Sequence, residues 1–129
     1  MLVKMKRYPQ EISRRREIAA RYEKNLKEIK KLRLPPAPDS EKDHFDIFQN
    51  YEIQADNRDG LKKFLANEGI GTIVQWGGKA VHQFANLGFQ CLLPNTDKLF
   101  QKCLLLPMNT SLTDKEVEFI CSKIHLFYS

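Results

Sequence analysis

A long charged helix that runs into prolines sets the first limit on what this chain can fold into. Over residues 10–31, Ile12, Ala19, Tyr22, Leu26 and Ile29 recur at helical spacing and form one apolar stripe. At 1.5 Å per residue such a helix is roughly 30 Å long. The stretch LRLPPAPDSEKD, residues 32–43, ends it. Proline has no N–H to donate and forbids helix, and the polar tail reads as loop. A helix this long with so narrow a stripe normally packs on something larger than the remainder of this chain. The chain thus divides into a basic amphipathic helix over 1–33, a Pro-rich linker over 34–44 and an α+β unit over 45–129.

Charge follows the same division. Residues 1–33 carry twelve Lys/Arg and four Asp/Glu, and the rest carries nine and twelve. A basic segment suits nucleic acid or an acidic membrane surface, but it is more commonly the solvated face of a helix. Here Glu11 with Arg15, Glu17 with Arg21 and Glu23 with Lys27 are spaced i, i+4 with the acid first. That spacing describes a salt-laced exposed face. The helix also lacks the interleaved aromatics of a stacking surface, so nucleic acid is disfavoured. No apolar run is long enough for a transmembrane helix, and the first ten residues lack the apolar centre of a signal peptide. Cys91, Cys103 and Cys121 are odd in number and widely spaced, which reads as reduced thiols in a cytoplasmic protein.

Beyond the prolines, DIFQNYEIQAD reads as a strand with Tyr51, Ile53 and Ala55 on one face. NRDGLKKFLANEGIG reads as a helix capped by Asn57, with Leu61, Phe64 and Leu65 as its apolar face and Gly69 ending it in the left-handed conformation. TIVQW is a short β-branched strand, 80–87 and 96–103 are short helices, and CLLLPM is a buried strand stopped by Pro107. Thr113 with Glu116 makes a capping box for a last helix that buries Val117, Ile120, Cys121, Ile124 and Phe127. The expected fold is α+β: a small three-stranded sheet covered by helices, with the long helix at its N-terminus.

Chemistry is sparse in this pattern. His44, His82, His125 and the cysteines never fall in the close pairs that structural zinc sites use, so no metal is expected. Cys91 and Cys103, with His82 as base, have no local support as nucleophiles. The loop QWGGKAVHQF, 75–84, holds the only tryptophan, two glycines and Lys79 ahead of a helix. A helix N-terminus attracts anions, yet the loop is neither GxxxxGK[ST] nor GxGxxG. Locally, an anion-binding loop and a turn with Trp76 packed in the core both stand.

Four blocks, in order, resemble the C-terminal part of the pyridoxal-phosphate-dependent nucleotide-sugar aminotransferases of the DegT/DnrJ/StrS group. VKMKRYPQEISRRREIAARYEKNL resembles the helix that leaves the large domain, with its RRxIAxxY core. FQNYEIQADNRDGLKKFLANEGIGT resembles the strand–helix unit of the small domain. VQWGGKAVHQF resembles the substrate-facing loop, and CLLLPMNTSLTDKEVEFICSKI the closing LPM strand and its capped helix. The resemblance covers nearly the whole chain.

It implies the small domain of a fold type I aminotransferase. The family moves an amino group from glutamate to a keto sugar linked to a nucleotide, for amino-sugar (surface polysaccharide or antibiotic) biosynthesis. Its Schiff-base lysine and the aspartate on the pyridine nitrogen lie in the large domain. No lysine here matches that motif, so the resemblance implies no catalytic or cofactor-binding residue on this chain, which is then inactive alone. It further implies a homodimer. The loop's usual His-Tyr pair is Gln75 and Trp76 here, a later histidine matches His82 with a shift of about one residue, and Gln49 stands at the histidine of the family's strand. Gln49, Gln75, Trp76, Lys79 and His82 are the implied substrate-side residues. The other reading is a free-standing binding or interaction module, for RNA or a protein partner, built on the basic helix.

Overall fold

A computed structural model describes residues 2–129, with side chains from residue 5 onward. Helix α1 spans Leu2–Leu26 and runs through Pro9. Ile18, Ala19, Tyr22 and Leu26 lie on one face of it and are fully buried. Each such Ile or Leu side chain contributes about 1.5–3 kcal/mol on leaving water. Opposite lies α4, Asp114–Tyr128, which buries Val117, Ile120, Cys121 and Ile124. The expected capping box opens α4: Thr113 Oγ1 accepts from Glu116 N at 3.3 Å, and Glu116 Oε2 accepts from Thr113 N at 2.7 Å.

Helix α1 ends at Leu26, before the apolar stripe does. Ile29 N bonds Leu26 O at 3.0 Å and Leu32 N bonds Ile29 O at 2.9 Å, turning the chain onto a strand, β1, Leu32–Arg33. Ile29 still packs on the core, so its helical spacing was misleading. An open sheet edge is the reason. Strand β2, Tyr51–Ala55, offers unpaired backbone groups, and β1 takes them with Leu32 opposite Ala55 and Arg33 opposite Gln54.

The sheet has the order β1-β2-β3, all antiparallel, with β3 at Cys103–Leu106. The three-stranded α+β architecture is the one expected, but one strand differs. Residues 72–76 supply only a single bridge, Ile73 to Leu105, with backbone bonds of 2.8 and 3.2 Å. Tyr51 faces Leu106 and Ile53 faces Leu104, and all four join the core.

Helix α2, Arg58–Asn67, buries Leu61 and Leu65. Asn57 does not cap it with its side chain. It sits at φ 55°, in the left-handed region that asparagine tolerates. Its amide lies against Gly60, where an added Cβ would meet it at 2.5 Å. Gly69, at φ 78°, closes the helix as expected.

None of the expected i, i+4 ion pairs on α1 forms among the described residues; Glu17 instead meets Arg14 of the same helix at 3.1 Å, and Arg21 turns to α4. Arg14 Nη1 lies 2.9 Å from Asp114 Oδ1, and Arg21 pairs with both Asp114 and Glu118. Arg16 pairs with Asp39, donates to Asp46 O at 2.6 Å and stacks over Phe45 at 4.2 Å. The Pro-rich segment is thereby tied to the helix rather than left free.

Candidate functional site

The bridge at Ile73 is the last sheet-like step before the loop. Trp76, Gly77 and Gly78 then take φ of 54°, 64° and 77° in succession. Three left-handed residues in a row curl the backbone away from β3. Glycine adopts that region freely, whereas Trp76 is held there at a cost of about 1–2 kcal/mol. The indole is 77% exposed, so the turn with a core-packed tryptophan is excluded. Lys79 is exposed too. The following Ala80 is the only buried residue between 71 and 99. Its N–H donates to Gln83 Oε1 at 2.9 Å, which shapes the tight turn Val81–Gln83.

A second 3-10 turn, Ala85–Leu87, and Gly88 at φ 73° lead to α3, Pro94–Lys102. Proline opens α3 where its missing N–H has no partner to lose. Arg58, at the start of α2, anchors the far end: its Nη1 donates to Cys103 O at 3.1 Å and Phe100 O at 3.3 Å.

Between loop and helix lies a cleft of about 610 Å³. Of the residues singled out from sequence, Trp76, Lys79 and His82 line it. Gln75 is beside it in sequence but is not on its wall, and Gln49 is exposed ahead of β2. The walls are mainly Ala80, Val81, Phe84, Phe89, Leu93 and Phe100. Polar groups are few. His82 Nε2 lies 2.9 Å from Asp97 Oδ1, and Gln83 Nε2 donates to the same oxygen at 2.5 Å. Apolar walls with a few convergent polar groups suit a small ligand with one flat or apolar portion.

Sequence reasoning missed Asp97 and the three phenylalanines. Phe84 lay within the loop block, but nothing local marks it as a wall. Asp97 comes 15 residues after His82, on another element, and no spacing rule links the two.

The thiols do not build a reaction centre. Burial pushes Cys121 up to about 12 and raises Cys103 as well. Cys91 is exposed on the cleft wall. No group of three or more His, Cys, Asp or Glu able to hold a metal occurs among the described residues, and no described helix is long and apolar enough to cross a membrane.

The model of the DegT/DnrJ/EryC1/StrS aminotransferase family matches residues 1–125. The chain belongs to that family. The family depends on pyridoxal phosphate. Similar curated proteins include a dTDP-4-dehydro-2,3,6-trideoxy-D-glucose 4-aminotransferase of Saccharopolyspora spinosa, 29% identical over 94% of this chain and 31% of that protein. A pleiotropic regulatory protein of Geobacillus stearothermophilus is 34% identical over 88% of this chain and 31% of its own length. A DegT/DnrJ/EryC1/StrS aminotransferase from Brucella abortus superposes with a TM-score of 0.86 at 29% identity, covering all of this chain and 34% of that one. The chain thus spans about a third of the length of the family members it matches.

Proposed function

We propose that this chain is the substrate-side small domain of a nucleotide-sugar aminotransferase. The complete enzyme would take an amino group from glutamate and deliver it to a nucleotide-linked keto sugar, as a cytoplasmic homodimer. The observation that carries this reading is the cleft, whose wall includes Trp76, Lys79 and His82 from the loop that matches the family's substrate-facing block. Trp76 offers an exposed aromatic face for the sugar or base, and His82 a hydrogen-bonding group for a hydroxyl. Gln75 and Gln49 would join only through a ligand that extends past the cleft.

Pyridoxal phosphate does not fit the residues here. It needs a lysine for the Schiff base and a carboxylate for its ring nitrogen. Lys79 is exposed on a turn, and the Asp97 oxygen that faces the loop is occupied by His82 and Gln83. The cofactor and the amino-transfer chemistry are therefore assigned to the portion that relatives carry beyond this third. A nucleic-acid module has less support, because Arg14, Arg16 and Arg21 are engaged by Asp114, Glu118 and Asp39.

The test uses the complete enzyme. Trp76→Ala and His82→Ala should each raise KM for the nucleotide sugar by about tenfold, the effect of losing one good contact. Unchanged kinetics in both would refute the assignment. Mixed with pyridoxal phosphate, the chain alone should show no stable internal Schiff base by absorbance.

A further inference from the structure

We propose that Asp97 is a positioning residue for recognition at the cleft. It holds His82 with the proton on Nε2, so that Nδ1 meets the ligand as a hydrogen-bond acceptor. This rests on reading the cleft as the nucleotide-sugar wall.

A neutral imidazole has one donor nitrogen and one acceptor nitrogen, and an ionised carboxylate only accepts. The 2.9 Å contact between His82 Nε2 and Asp97 Oδ1 therefore places the proton on Nε2 in the neutral ring. Nδ1 makes no hydrogen bond to any described residue. The His82 side chain is only 9% exposed, yet it lines the cleft. Its ring is thus fixed in place with one nitrogen left over.

The clamp has a second arm. Gln83 Nε2 donates to the same Asp97 oxygen at 2.5 Å, while Gln83 Oε1 takes the Ala80 N–H at 2.9 Å. One carboxylate on α3 thus gathers two neighbouring side chains of the Val81–Gln83 turn. Ala80, the buried residue of this excursion, seats that turn. With few other anchors between 71 and 99, this contact sets the separation of loop and helix.

The chemistry selects a ligand class. An acceptor Nδ1 favours a group that donates, such as a sugar hydroxyl or a ring N–H. It disfavours a phosphate oxygen, which also accepts. The apolar walls beside it favour the less polar face of such a ligand.

Two measurements test this. The first is nitrogen-15 NMR of the histidine rings in this chain at about pH 8.5, two units above an ordinary imidazole. A resolved, slowly exchanging Nε2–H signal is expected from His82. His82→Gln removes it, which separates it from His125, whose Nε2 lies 2.7 Å from Asn25 O. Asp97→Ala should lose the signal, and Asp97→Asn, which retains an acceptor oxygen, should keep it. A proton on Nδ1, or a signal indifferent to both substitutions, would overturn the clamp.

The second is steady-state kinetics of the complete enzyme. Asp97→Ala should raise KM for the nucleotide sugar by about tenfold with kcat changed less than about threefold. Combined with His82→Gln it should do no further harm, because Asp97 acts through His82. Fully additive losses would refute the positioning role. Should the NMR result hold while His82→Gln leaves KM unchanged, the clamp is real and the nucleotide-sugar reading of the cleft fails.

Discussion

Two tyrosines in contact illustrate how one hydroxyl can matter where its neighbour does not. Tyr22 and Tyr51 are both buried, with ring centroids 4.9 Å apart. Desolvation raises both phenol pKa values above the ordinary range. Tyr22 Oη donates to Pro107 O at 2.8 Å, whereas the Tyr51 hydroxyl has no hydrogen-bond partner among the described residues. A buried polar group without a partner carries its full desolvation cost. Tyr51→Phe should therefore leave stability unchanged or raise it by up to about 1 kcal/mol. Tyr22→Phe should lower it by about 1 kcal/mol, since the carbonyl of Pro107 loses its donor. Urea unfolding of the two variants checks the contrast in sign. Equal losses would show that ring packing, not hydroxyl satisfaction, governs both positions.

Elements depend on their ends as much as on their faces. The start of α4 is the clearest case, because cap, dipole and docking coincide there. Thr113 and Glu116 satisfy each other's groups, and Asp114 in the first turn meets Arg14 and Arg21 of α1. Thr113→Ala should destabilise the chain by about 1 kcal/mol. Glu116 is fully exposed, but the backbone N–H and hydroxyl of Thr113 hold its pKa below the usual carboxylate range. A depressed folded pKa gives stability that is present above the unfolded value, about 4.3 for glutamate, and is lost as pH falls through the folded value. Melting temperatures measured between about pH 3 and pH 6 should fall toward acid. The part of that fall due to Glu116 should shrink in Thr113→Ala, which loses the hydroxyl but keeps the backbone N–H, and vanish in Glu116→Gln; an acid limb unchanged in Glu116→Gln would refute this.

At the scale of the molecule, one core serves α1, α2, α4 and the sheet, and the excursion from 71 to 99 is appended to it. Exposed apolar groups are frequent on the excursion, among them Trp76, Leu87, Phe89 and Leu92. The cysteines sample both regions. Cys103 and Cys121 are buried with raised pKa values, while Cys91 is exposed. A thiolate is the reactive form, so a thiol reagent at neutral pH should label Cys91 quickly and the other two only on unfolding. Mass spectrometry of labelled peptides checks this. Fast native labelling of Cys121 would mean that α1 and α4 separate readily.

Local rules in the sequence carried a large part of this structure. Alternation placed Tyr51, Ile53 and Ala55 in the core, the TDKE pattern marked the start of α4, and Gly69 marked the end of α2. Each of these signals is complete within a few residues, so it survives whatever surrounds it. The four ordered blocks also identified the family. Other features depend on partners distant in the chain. Leu32 became a strand because β2 had an open edge, and Ile73 supplied one bridge because three left-handed residues come soon after it. Arg21 met Asp114 and Glu118 of α4 instead of Glu17 on its own helix, and Arg14 bridged Glu17 and Asp114. The cleft belongs to the same class. Trp76, Lys79 and His82 were visible as candidates, but the phenylalanine walls and the Asp97 contact exist only once α3 lies against the loop. A hydrogen bond across 15 residues leaves no periodic trace in sequence, and only the packed chain decides it.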